Sequence, residues 1–133
     1  MGYNQIGILL GICAIAFLGF TMKKIRNPYI KGIWKSALLV FTLYVALLIF
    51  IEIRWQFISE YASTYDLNGN GFVDLDEYSD KAIEAMNRKT YGANIRIYAP
   101  LTMAVFSSMI GFAYLISDWA VTNLKNKEQK KLG

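Results

Sequence analysis

Residues 66–77 read Asp-Leu-Asn-Gly-Asn-Gly-Phe-Val-Asp-Leu-Asp-Glu. Side-chain oxygens fall on Asp66, Asn68, Asn70, Asp74, Asp76 and Glu77, and Gly71, lacking a β-carbon, is able to turn the chain sharply. Acids and amides at 66, 68 and 70, with acids at 74, 76 and 77, surround this glycine with hard oxygen donors of the kind a divalent cation takes from many directions. Mere acidity would not produce this order. Other chemistry finds few tools. The chain has no histidine and one cysteine, Cys13, set in an apolar run. Zinc, copper or haem sites built on imidazole or paired thiolates therefore lack ligands, and Cys13 reads as a small packing residue. Without paired acids outside this run or a glycine-rich phosphate cradle, the chain is expected not to be an enzyme on its own.

The elements that must position the run are apolar. Of 133 residues 55% are hydrophobic and only 18% charged, too few charges for a soluble domain of this size. Three runs, Ile6 to Met22, Ser36 to Ile53 and Ile97 to Ala120, approach the ~20 residues a helix needs to cross a bilayer. None alternates as a barrel strand would, so an all-α integral membrane protein with three spans is predicted. Tyr3, Trp55 and Tyr98 are expected at one membrane interface, and Tyr29, Trp34 and Trp119 at the other.

Lysine and arginine set the expected orientation. Lys23, Lys24, Arg26, Lys31 and Lys35 follow the first span without an acid, and Lys125, Lys127, Lys130 and Lys131 follow the third with only Glu128. Both segments are predicted to be cytoplasmic, leaving the N-terminus and residues 66–77 outside a plasma or cytoplasmic membrane. The segment from Arg54 to Arg96 has five basic residues, but seven acids offset them. The uncharged Met-Gly-Tyr-Asn-Gln start marks the first span as a retained anchor and not a cleaved signal.

Over residues 66–77 and their flanks the chain resembles the EF-hand family. The resemblance implies a Ca2+ ligand set of Asp66, Asn68 and Asn70 through side-chain oxygens, Phe72 through its carbonyl, Asp74 directly or through water, and Glu77 through both carboxylate oxygens. Val73 falls where a paired hand forms a short β-bridge, and Asp76 where it complements the dipole of the exiting helix. Phe57, Ile58, Tyr61, Ala62 and Tyr65 give an entering helix one apolar face, continuous with span two. An exiting helix, with pairs Glu77–Lys81 and Glu84–Arg88, is expected to run to about Lys89 and stop near Gly92. The divisions are thus 1–53 for two spans and a basic connection, 54–95 for the extramembrane hand, 96–124 for span three, and 125–133 for a basic tail.

Gly7 and Gly11 in span one, with Gly19 further along, and Ser107 with Gly111 in span three are small-residue faces suited to close helix packing. Pro100 reads as a helix-start residue. Glu52 and Arg96 are expected to bridge spans two and three near the outer interface, where an ionisable group needs a partner. Thr42, Tyr44, Ser107 and Ser108 are too few mid-span polar residues for a pore. The expected function is a calcium-binding accessory subunit of a larger membrane complex, such as an oxidoreductase, monooxygenase or respiratory assembly. The alternative is a self-associating, calcium-regulated sensor or channel. Its partners are the lipid bilayer and other membrane subunits met through spans one and three and the unpaired hand; nucleic acid is not expected.

Overall fold

The computed structural model describes residues 2–133 and is all helical, with three helices long and apolar enough to cross a membrane. Helix α1 spans Tyr3–Met22, α2 Pro28–Ser63 and α3 Asp80–Leu132, and a single 3₁₀ turn lies at Leu75–Glu77. At 1.5 Å per residue the 36 residues of α2 extend roughly 54 Å and the 53 of α3 roughly 80 Å. A hydrocarbon core is ~30 Å thick, so both helices project well beyond it.

Local chemistry explains these ends. Asn27 caps α2, its Oδ1 accepting the Tyr29 N–H at 2.9 Å, and Pro28 occupies the first helical position, where its missing N–H is no loss. The helix therefore begins eight residues before the apolar run at Ser36. Ser79 caps α3 by accepting the Ala82 N–H at 3.1 Å, with Asp80 in the first turn.

Two expectations about α3 are corrected. Gly92 does not stop it: the helix passes through, and the missing side chain admits the Trp55 ring, whose Cε3 would lie 3.2 Å from a β-carbon there. Pro100 is interior and not a helix start, so the Arg96 carbonyl loses its usual helical donor without ending the helix. The basic residues 125–131 continue α3 as helix. Packing along α2 overrides the local helix-breaking preferences of both residues.

Helix α2 is central, with α1 and α3 laid along it. Tyr29 meets Trp119, Ser36 meets Gly111, Glu52 meets Arg96 and Trp55 meets Gly92, an antiparallel register held without slip from one end to the other. On the other side Trp34 donates to Thr21 Oγ1 at 2.8 Å, and Asn4 donates to the Leu48 carbonyl at 3.1 Å. The small-residue faces are spent inside the chain: β-carbons at Gly7 or Gly11 would strike Tyr44, Val45 or Leu48, and one at Gly111 would strike Val40. Gly19 faces open space. Gly19→Ala is accordingly expected to leave stability unchanged or raise it by up to about 1 kcal/mol, while Gly11→Ala lowers it. Thermal unfolding of the two variants in detergent micelles checks this.

Little of the apolar surface is covered. Phe17, Phe20, Phe106, Met109, Phe112 and Ile116 are all more than half exposed, the outward apolar face that a lipid environment accommodates. Cys13 is exposed among them, so it does not pack within the chain as expected. Asp118, which no pattern in the sequence marks, is half-buried in α3 with its carboxylate against Gly32.

Candidate metal-binding loop

The connection between α2 and α3 is organised by its own side chains. Glycines with positive φ at Gly69 (71°) and Gly71 (88°) turn the backbone, a conformation glycine adopts without a β-carbon clash. Gly71 was expected to do this; Gly69 was not singled out. Asp66 reaches into the turn, Oδ1 accepting the Gly69 N–H at 3.0 Å and Oδ2 the Gly71 N–H at 2.8 Å. Asn68 Oδ1 accepts from Asn70 N–H and Asn70 Oδ1 from Phe72 N–H, consecutive side-chain turns that direct the backbone around the loop.

Glu77 closes the loop. Its Oε1 accepts the N–H groups of Leu67 and Asn68 at 2.8 and 2.9 Å, and its Oε2 that of Asp74 at 2.9 Å, so one carboxylate ties the last residue of the run to its beginning. This use of Glu77 removes it from Lys81, and the expected Glu77–Lys81 pair does not form; Glu84–Arg88 does, at 2.7 Å. The exiting helix also begins later than expected. Leu75–Glu77 is a 3₁₀ turn, Tyr78 is extended, and the acid in the first turn of α3 is Asp80, not Asp76. The Ser79 cap competes with helix at 76–79 and prevails.

Asp66, Asp74 and Glu77 are half-buried, whereas Asn68, Asn70 and Phe72 are exposed. Asp74 Oδ2 accepts the side-chain amides of Asn68 at 2.8 Å and Asn70 at 2.7 Å. Two N–H dipoles thus converge on a carboxylate oxygen that a cation would otherwise neutralise. Among the described residues no three Asp, Glu or Cys side chains gather closely enough to hold a metal by themselves. Amide and carbonyl oxygens would have to complete a shell. The donor types fit a hard divalent cation: carboxylates and amides only, on a loop whose turns are already formed. Ligation asks for the Asn68 and Asn70 amides to turn their oxygens inward and release Asp74.

No protein-family model, curated protein or solved structure matches the chain.

Around the loop the helices stay close. Ala62, Ala82 and Ala85 are buried where α2 and α3 approach, small side chains that bring the backbones together up to the loop. Phe57, Tyr61 and Tyr78 are more than half exposed, and Val73 and Met86 are half-buried. Tyr61 and Tyr65 join hydroxyls at 2.9 Å, and that hydrogen bond holds the Tyr65 phenol above its ordinary pKa.

Near the predicted interface Glu52 and Arg96 pair as expected, with Arg96 Nη2 and Nε donating to the two Glu52 oxygens at 2.6 and 3.0 Å. Asn4 Nδ2 donates to Glu52 Oε2 at 2.9 Å, and the Arg96 guanidinium lies 5.1 Å from the Trp55 ring centroid. Neither Asn4 nor Trp55 was assigned to this cluster from sequence, because no local pattern marks contacts among residues so far apart in the chain.

Proposed function

We propose that the chain is a calcium-binding accessory subunit of a larger membrane complex, with residues 66–77 as a single EF-hand facing outside and Ca2+ ordering it. The supporting observation is the loop's construction. Asp66 and Glu77 already hold its turns through backbone N–H groups, and Asp74 is capped by exchangeable amide donors. Asp66, Asn68, Asn70, Phe72, Asp74 and Glu77 are the proposed ligands, and catalysis belongs to a partner. A membrane oxidoreductase, monooxygenase or respiratory assembly is a suitable host. The exposed Phe57, Tyr61 and Tyr78 beside the loop supply apolar surface for such a contact.

Calorimetry on the detergent-solubilised protein is expected to give one calcium ion per chain. Glu77→Gln should weaken binding by roughly tenfold or more, about 1.4 kcal/mol per decade, and by more than Asp74→Asn. The twelfth position contributes two oxygens, whereas the ninth often acts through water. No binding heat at millimolar calcium would end the EF-hand reading. If the subunit reading holds, chelation weakens association with the partner on a native gel and calcium restores it, because the ion stabilises only the ordered loop.

A second reading, a calcium-regulated sensor formed by self-association, draws on the helices. Both α2 and α3 run unbroken from the loop through their apolar segments, so a calcium-driven separation of Ala62 from Ala85 would move both spans. Cross-linking that gives only homo-oligomers, altered by calcium, would favour it over the first.

A further inference from the structure

We propose that a groove between α2 and α3, on the loop side of the apolar segments, binds an anionic phospholipid, with the phosphate between Arg54 and Arg88 and an acyl chain against Phe50 and Ile95. The proposal rests on the helices crossing a bilayer and is independent of calcium binding. The groove encloses about 310 Å3, room for a headgroup phosphate and the first carbons of a chain. Phe50, Ile51, Ile58, Tyr91 and Ile95 line it with largely apolar surface, and Arg54 and Arg88 are its charged residues. Gly92 and Trp55 also line it, and the Trp55 ring packs against the space that a side chain at Gly92 would fill.

The register sets the heights. Arg54 lies one helical turn beyond Phe50, roughly 6 Å, and Arg88 two turns beyond Ile95, roughly 10 Å. Both arginines therefore leave their helices just beyond the apolar end, and their long stems can reach along the groove to a phosphate at that level. The Glu52–Arg96 pair fixes the boundary nearby, and Arg96 is committed to Glu52 and Trp55. Arg54 makes no ion pair or side-chain hydrogen bond among the described residues, and Arg88 has only an exposed contact to Glu84. A phosphodiester accepts the planar fork of arginine with two oxygens. An anionic headgroup fits better than a zwitterionic one, because the groove lining carries two cations, and the acid beside it, Glu84, lies outside the lining and is already paired with Arg88.

Native mass spectrometry of the full chain released from detergent, after titration with dioleoylphosphatidylglycerol, dioleoylphosphatidylcholine or sodium phosphate, tests this. One phosphatidylglycerol should be retained per chain, about tenfold more tightly than phosphatidylcholine, and phosphate alone should not displace it. Arg54→Gln/Arg88→Gln should abolish the preference, and Arg54→Lys/Arg88→Lys should keep part of it. Arg54→Gln alone, at an exposed residue without a partner, should lose most of it with the helical circular dichroism unchanged. Equal retention of both lipids, a preference that survives the double glutamine variant, or displacement by inorganic phosphate would overturn the proposal. So would a dimer that depends on Arg54 and Arg88 while lipid adducts do not, which would place a second copy in the groove.

Discussion

Arg96→Ala is expected to destabilise the folded protein by about 3 kcal/mol or more, the loss that follows when one partner of a buried ion pair is removed. The Glu52 and Arg96 side chains are 17% and 25% exposed, and α2 and α3 meet through them. Removing the guanidinium leaves the Glu52 carboxylate with only the Asn4 amide and strips Trp55 of its cation. Most of the expected effect is this uncompensated charge and not the intrinsic worth of the bond. The pairing itself gains little over apolar residues of equal volume. Glu52→Gln/Arg96→Gln should therefore be milder than Arg96→Gln alone, since the double variant buries no unpaired ion. Arg96→Lys should fall between wild type and alanine, keeping the charge but losing the two-oxygen fork. Equilibrium unfolding in mixed micelles measures all four. Single and double variants that lose equally little, about 0.5 kcal/mol as for an exposed pair, would show that the cluster does not join the helices.

Gly111→Ala should cost about 1–3 kcal/mol by overpacking. A β-carbon at this position would overlap Val40 Cγ2 and come within 3.3 Å of Ser36 Oγ and 3.6 Å of the Ser36 carbonyl. Val40 is β-branched and cannot readily swing clear. Ser36 is itself anchored, its hydroxyl donating to the Gly111 carbonyl at 2.6 Å. With both neighbours fixed, the helices must separate, and dispersion contacts along the seam weaken with distance. Val40→Ala should rescue much of the loss, because it vacates the volume the new methyl needs. The coupling in this double-mutant cycle is the decisive quantity. Additive losses would mean that Val40 and Gly111 do not oppose each other, and that the register of α2 on α3 is wrong.

The apolar runs announced three helices because a length near twenty residues with few charges has one main structural solution in lipid. The Glu52–Arg96 pair was legible for a related reason: two opposite charges near one interface each need a partner, and few were on offer. Glycine positions were legible as small-residue spacing but not as contacts. Gly7, Gly11 and Gly111 face α2 while Gly19 faces outward, a distinction that depends on how each helix is rotated.

The loop divides the same way. Which residues carry oxygens follows from the order along twelve positions, and the turn at Gly71 is what the resemblance to the EF-hand loop implies. That Glu77 would bind backbone N–H groups in place of Lys81, or that Asn68 and Asn70 would meet on Asp74, depends on side-chain torsions chosen among competing donors. Helix ends behave similarly. Ser79 could be recognised as a capping residue, yet whether it outcompetes a helix begun at Asp76 is a balance of about 1 kcal/mol. Gly92 and Pro100 are breakers by intrinsic preference. They lie inside a 53-residue helix because α2 presents Trp55 to one and continuous packing on both sides of the other. Local preferences are worth about 1 kcal/mol for glycine and 3 for proline, and contact along a neighbouring helix exceeds them. Hydrophobicity and the order of oxygen-bearing residues are additive along the chain and can be read residue by residue. Register, rotation and helix continuity are differences between alternatives stabilised by distant residues, and only the packed helices resolve them.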